Sequence, residues 1–272
     1  MASPSEGTQG DRPAREWNAG VYHRVSNPQF EWGLDVLGRL PLKGDELVLD
    51  VGCGTGRLTE RLLTRLPRGR VVAVDQSTNM LEGARAYLSG AFGPRVALVQ
   101  AEASALPLAG IADAIFSTAT FHWVKDHDRL FASLYAALKP GGRVVAQCGG
   151  GANIARLHQR CHALMRRPEF AGSFTQWVEP WEFAEADTTE RRLRAAGFCE
   201  IRTSVEAAPV VQPDAAAFRE FIEHVICRPF LAPIARAEDR DRFMTALTEL
   251  AARDSPAFEL DYWRLNLEAR KP

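Results

Sequence analysis

The chain has 272 residues, with 33 Lys and Arg against 34 Asp and Glu, and 46% of it is hydrophobic. That is enough for one large domain with insertions, in a composition ordinary for globular proteins. A net charge of −1 leaves no global electrostatic footprint for nucleic acid, and no apolar run reaches membrane-spanning length.

Residues 1–14, rich in Ser, Gly, Pro and charge, predict a disordered tail without the apolar stretch of a secretory leader, hence a cytoplasmic protein. Residues 15–40 carry Trp17, Tyr22, Phe30 and Trp32 and a helical pattern from Gln29 to Leu40, which predicts N-terminal cap helices. Residues 41–150 read as a core. Its first strand, 46–51, is apolar with Asp50 near its tip, and runs into a turn with glycines at alternate positions, Gly52, Gly54 and Gly56. A helix over 56–66 follows, with Leu58, Leu62 and Leu66 on one face. Without side chains at the glycines a ligand can lie against the backbone, and Asp50 favours a ligand that is positively charged. The dinucleotide pattern G-x-G-x-x-G would need glycine where Arg57 stands, and a phosphate loop would need Gly-Lys-Ser/Thr. A cationic cofactor without phosphate, S-adenosylmethionine, fits better.

The second strand, 70–75, ends in Asp75, 23 residues after Gly52, where a doubly wound sheet holds ribose hydroxyls. Ser77 is placed to cap a helix over 77–89 whose stripe includes Met80, Ala84 and Leu88; Met80 reads equally as core or as a cofactor shelf. Strands at 96–100 and 112–117, a helix at 126–138 and a strand at 142–148 continue the alternation, with Leu138-Lys139-Pro140-Gly141-Gly142 as a stop and turn. Strand and helix in alternation imply a parallel sheet covered on both faces. Residues 151–187 read as a variable helical lid with an amphipathic helix at 153–167. Residues 188–272 close the sheet through a helix at 188–198 ending at Gly197, a strand at 200–206, helices at 213–226 and 237–252, and a last strand from Tyr262 to Ala269. The five cysteines match no zinc or redox spacing.

Five segments, DVGCGTG (50–56), VVAVDQSTNML (71–81), VQAEASALP (99–107), ADAIFSTATFHWVKD (112–126) and LKPGGRVV (138–145), together resemble class I S-adenosylmethionine-dependent methyltransferases. The resemblance implies a doubly wound, seven-stranded, mostly parallel Rossmann-like sheet whose last two strands form an antiparallel hairpin. Residues 207–258 would then be an insertion folding over the open end. It also implies that S-adenosylmethionine is held by Asp50, Gly52, Cys53, Gly54 and Gly56 in the first turn and by Asp75, Gln76 and Met80 after the second strand. Glu102 and Ala103 follow the third strand, with Glu102 where most members have Asp, and Thr118 and Ala119 follow the fourth. Tyr22 and Gln29 either close over the cofactor or simply pack a helix.

A narrower resemblance, to trans-aconitate methyltransferases and related carboxyl methyltransferases, rests on Trp17-Asn18-Ala19-Gly20-Val21-Tyr22, on Phe221-Ile222-Glu223-His224-Val225, on Arg228-Pro229-Phe230-Leu231 and on the pair His122-Trp123. It implies ester formation on an organic acid. In that setting His122 is a base, a substrate donor or a packing residue, and Arg228 clamps a carboxylate or pairs with Glu223. Trp177 and Trp181 line the pocket or pack the lid. Two other readings stand. One is transfer to O, C or N of a secondary metabolite, or to an acyl group on a carrier protein docked on Arg156, Arg160, Arg166, Arg167, Arg191, Arg192 and Arg194. The other is cofactor binding without turnover. A monomer or homodimer is expected, and no metal.

Overall fold

The computed structural model describes residues 19–20 and 27–272; the 1–14 tail, Trp17, Asn18 and Tyr22 lie outside them. From residue 27 the chain runs through α1 (Asn27–Arg39), β1 (Leu47–Val51), α2 (Arg57–Arg65), β2 (Arg70–Asp75), α3 (Thr78–Phe92), β3 (Val96–Gln100), β4 (Ala112–Thr118), α4 (His127–Ala137) and β5 (Leu138–Gly149). After α5 (Ala155–Met165) and α6 (Ala186–Ala195) comes β6 (Cys199–Ala207). A small hairpin of β7 (Val210–Val211) and β8 (Glu259–Leu260) encloses α7 (Ala215–Phe221) and α8 (Ala237–Ala251), and β9 (Trp263–Arg270) ends the sheet. The seven strands lie in the order β3-β2-β1-β4-β5-β9-β6. Only β9 runs against the rest, antiparallel to both β5 and β6.

Successive residues of a strand point to opposite faces, and β1 shows what that does. Val48 joins a core with Val36, Leu37, Leu62, Leu63 and Leu88 from α1, α2 and α3. Leu49 joins another with Leu130, Phe131 and Leu134 of α4 and Leu193 of α6. Each fully buried leucine contributes about 1.5–3 kcal/mol, so the sheet is held from both sides. A third core lies within the lid, where α5, α7 and α8 bury Leu157, Phe218, Phe230 and Phe243 around Trp181.

Three local features differ from the sequence reading. The stop at 138–142 is drawn into β5 as a bulge: Ala112 pairs with Leu138 and Ala114 with Arg143, while Gly141 (φ +79°) is held by its N–H on the Lys271 carbonyl. The helix expected over 213–226 breaks at Phe221 into a π-turn, Ile222–Ile226, closed by Cys227 N–H on the Ile222 carbonyl at 2.6 Å. The wide turn rotates the side chains that follow, and Val225 and Ile226 point into the main cavity. The hairpin β7–β8, two residues per strand, is too short to leave a period in the sequence. Among the described residues no helix is long and apolar enough to cross a membrane.

Candidate active site

A cavity of about 840 Å³ opens at the carboxyl ends of β1, β2, β3 and β4, the crevice where open α/β sheets place ligands. Its size suits a cofactor with an acceptor. A second space of about 60 Å³ adjoins it and shares Gln29, Gly52, Gly54, Thr118 and Ala119 with it.

The turn after β1 is built by its glycines. Gly52 sits at φ +80°, and a Cβ there would lie 1.9 Å from Thr120 Oγ1. Gly54, at φ +54°, faces open space, so a side chain there would occupy the cavity. Gly54 N–H and Ser77 N–H, both at 2.9 Å, donate to the two carboxylate oxygens of Asp75, which fixes that acid at the tip of β2. Ser77 caps α3 through Met80 N–H at 3.2 Å. After β4 the chain passes through Ala119 in the left-handed region, φ +53°, with its N–H on the Gln147 carbonyl at 2.8 Å. That conformation costs an L-residue about 1–2 kcal/mol.

Asp50 is 2% exposed and lines the smaller space. Burial pushes its pKa up to about 7; the Thr59 hydroxyl, donating to Oδ2 at 2.6 Å, opposes the rise and the nearby charge of Asp75 adds to it. Burial, and then the two acids, push the Cys53 thiol well above its ordinary range, so it is an unreactive wall residue.

Of the other residues expected from sequence, Gly52, Gly54, Asp75, Gln76 and Met80 line the main cavity, as do Glu102, Ala103, Thr118, Ala119, Gln29 and His122. Gly56 lines neither space. Its φ of +86° and the 2.8 Å from its would-be Cβ to Leu88 make it a turn and packing residue. Tyr22 lies outside the described residues. Arg228, expected to clamp a carboxylate or to pair with Glu223, opens the turn Arg228–Leu231, half-buried, and is not among the residues that line the cavity. Trp181 lines the cavity, whereas Trp177 stacks on Phe230 at 5.2 Å and donates Nε1–H to the Pro229 carbonyl at 3.0 Å.

Among the described residues three cations line the cavity, Lys125, Arg129 and Arg264; the first two are exposed, and Arg264 on β9 is buried, 4% exposed. Its Nε donates to Gln147 Oε1 at 3.3 Å, and its guanidinium lies 4.6 Å from the centre of the Trp32 ring. Trp32 meets Tyr262 edge-on at 5.1 Å, and Gln29 Nε2 reaches the Tyr262 hydroxyl at 3.4 Å. The sequence held a signal for Arg264: in Trp263-Arg264-Leu265-Asn266-Leu267, polar residues alternate along a strand that is otherwise apolar. The arginines considered as a docking face are partly committed. Arg160 holds Asp254 through two bonds of 2.6 and 2.9 Å, Arg156 holds Glu259 at 3.0 Å, and Arg192 holds Glu182 at 3.1 Å.

The donor set fits a cationic adenosyl ligand. Gln29 Oε1, which belongs to a residue lining both spaces, is buried without a hydrogen-bond partner among the described residues. With Asp50 it supplies acceptors where an ammonium could be met. Asp75 and Glu102 stand at the tips of the next two strands.

The comparisons agree. Residues 48–142 match the methyltransferase domain family. The trans-aconitate 2-methyltransferase of Paracidovorax citrulli is 32% identical over 244 residues, which cover 85% of this chain and 87% of that one. That of Methylobacterium radiotolerans is 30% identical, covering 86% and 88%. The chain belongs to the S-adenosylmethionine-dependent methyltransferases. Among solved structures, the Haemonchus contortus phosphoethanolamine N-methyltransferase 2, in complex with phosphomonomethylethanolamine and S-adenosylhomocysteine, superposes with a TM-score of 0.61 at 23% identity over 93% of this chain. The chain spans 57% of that longer protein, and the likeness is one of fold. The methyltransferase uses S-adenosylmethionine as its cofactor.

Proposed function

We propose that this methyltransferase esterifies a carboxylate of a small organic acid that carries at least one further carboxylate. The observation that carries the reading is Arg264, a buried guanidinium in the wall of the cavity. Bound S-adenosylmethionine would supply an electrophilic sulfonium methyl for transfer to an acceptor oxygen, with the demethylated thioether as leaving group. Asp50 and Gln29 would hold the ammonium of the cofactor, Asp75 its ribose hydroxyls, and Glu102 and Ala103 its adenine edge. Gly52 and Gly54 leave the backbone open beside it.

A carboxylate acceptor is already ionised at neutral pH and needs no base. The reacting carboxylate loses its charge as the ester forms, so a strong clamp on it would hold the ground state more tightly than the transition state. A guanidinium fork is better used on a second carboxylate that keeps its charge throughout, where the charge-assisted bonds contribute about 1.5–3 kcal/mol to binding. The names of the relatives point the same way, because trans-aconitate is a tricarboxylate. Trp181, Phe183, Val225 and Ile226 line the cavity and give it an apolar wall that keeps water from the displacement.

The test is transfer of labelled methyl to a panel containing trans-aconitate, other di- and tricarboxylates, monocarboxylates, phenols and amines. Turnover is expected with the polycarboxylates, in products that release label as methanol in mild alkali. Arg264→Gln should raise KM for them by about tenfold or more, with a smaller effect on kcat. Label fixed in an alkali-stable product overturns the reading.

A further inference from the structure

We propose that His122 is a donor locked in one tautomer, which orients the acceptor carboxylate through Nε2–H and takes no proton during turnover. The inference rests on the carboxylate reading above for its target, and on the geometry of the ring for the rest. Gly149 N–H donates to His122 Nδ1 at 3.2 Å. A ring nitrogen that accepts a hydrogen bond carries no proton, so the proton of the neutral imidazole is on Nε2.

The lock is built into the sheet. Gly149 is the last residue of β5 and the register partner of Arg264 on β9. A Cβ on Gly149 would meet Asn153 Nδ2 at 2.6 Å and the Phe183 ring at 2.9 Å, so its backbone is packed on that side. The His122 ring stacks on Phe183 with centroids 5.8 Å apart and leans on Trp123 at 5.3 Å. Turning the ring over would replace Nδ1 by a carbon and leave a buried N–H unsatisfied, which is costly. Protonating Nδ1 would set two N–H groups against each other.

A general base must present a lone pair to the proton it removes. In this arrangement the lone pair of His122 is spent on Gly149, and Nε2, on a ring that lines the cavity, carries the hydrogen. The residue can therefore donate to a carboxylate oxygen but cannot deprotonate a phenol or an amine. A neutral donor also suits a reacting carboxylate. Its grip orients the oxygen while holding less of the charge that the reaction consumes than a cation would.

The test has two arms, both on the full chain. The first is 15N NMR of histidine-labelled enzyme with S-adenosylhomocysteine and no acceptor, His122 being assigned from the signal lost in H122N. The expected state is Nε2 protonated and Nδ1 bare. The second compares two amides. In H122N the side-chain oxygen can reach the Nδ1 position and keep the Gly149 bond, but nothing donates from the Nε2 position; H122Q extends an amide donor to that position. On the substrate found active, H122Q should exceed H122N in kcat by about tenfold or more, since misplacement of a reacting group costs up to about a hundredfold. Its pH profile should keep the wild-type shape. An Nδ1–H ring, an imidazolium, an H122N enzyme as fast as wild type, or an H122Q enzyme as slow as H122N overturns the proposal. An alkali-stable product would instead remove the carboxylate target, and the acceptor-free spectrum tells that failure apart from failure of the tautomer.

Discussion

Asp50→Asn should make the free protein more stable and a poorer binder of its cofactor. Asp50 is buried with its Oδ2 on the Thr59 hydroxyl, and burial first, with the Asp75 charge adding to it, raises its pKa from 3.8 to about 7. The folded value exceeds the unfolded one. Between these two values the folded chain keeps a proton that the unfolded chain has lost, so stability falls as pH rises through that window and levels off above it. One pH unit corresponds to about 1.4 kcal/mol, which makes the full loss about 4 kcal/mol. Asparagine keeps an oxygen for Thr59 and has no charge to bury. Urea denaturation of ligand-free wild type and variant at pH 5 and pH 8 should show the gap widening in favour of the variant by about 3 kcal/mol, two pH units of the window. Calorimetry at pH 8 should show S-adenosylmethionine binding weakened about tenfold or more, since the variant has lost a carboxylate facing a cation. A gap that does not change with pH, or an affinity that does not fall, would refute the assignment of Asp50 as a charge held in strain for the ligand.

Gly52→Ala should abolish measurable cofactor binding in calorimetry and lower stability by about 2–4 kcal/mol, because φ is +80° and the new Cβ would overlap Thr120. Ala119→Gly relieves a left-handed alanine at φ +53° and should leave kcat within about twofold while raising the free energy of unfolding by up to about 1 kcal/mol, read by urea titration. In the lid, burial and then neighbouring His162 lower the pKa of His158 from 6.5 to about 4. The folded value lies below the unfolded one, so its contribution is complete above pH 6.5 and is lost as pH falls to 4, a change of about 3 kcal/mol. His158→Phe should flatten that part of the acid-denaturation curve.

The core could be read from sequence because its signals are local. The turn 50–56, the acid ending β2 and the cap at Ser77 each depend on a few adjacent residues, and those residues do line the crevice or frame it. Alternation along 263–267 marked Arg264 as an unusual strand residue, but its place beside the cavity and the role of Gly149 could not be read, because each depends on strand register. Arg264 borders the cavity since β9 inserts antiparallel beside β5, which brings it opposite Gly149. Arg228 shows the converse. It stands out in sequence beside Pro229, yet the π-turn before it spends the inward-facing positions on Val225 and Ile226. The break between helix and π-turn leaves no mark in apolar spacing, which both conformations satisfy over five residues.

The two strand-tip acids also explain why the groove should select a cation over a neutral nucleoside. Asp75 is fixed by two backbone N–H donors, from Gly54 and Ser77, near enough for its charge to act on Asp50. Burial first, and that repulsion in smaller part, keep Asp50 partly protonated at neutral pH in the free protein. A cationic ligand removes the need for the proton, so its binding should release protons near pH 7 and tighten as pH rises until Asp50 is fully ionised. A neutral adenosine analogue offers no such compensation and should bind with no pH dependence from this site. Calorimetry of both ligands in buffers of different ionisation enthalpy measures the protons released directly, and equal release by the two would mean that Asp50 does not face the charged end.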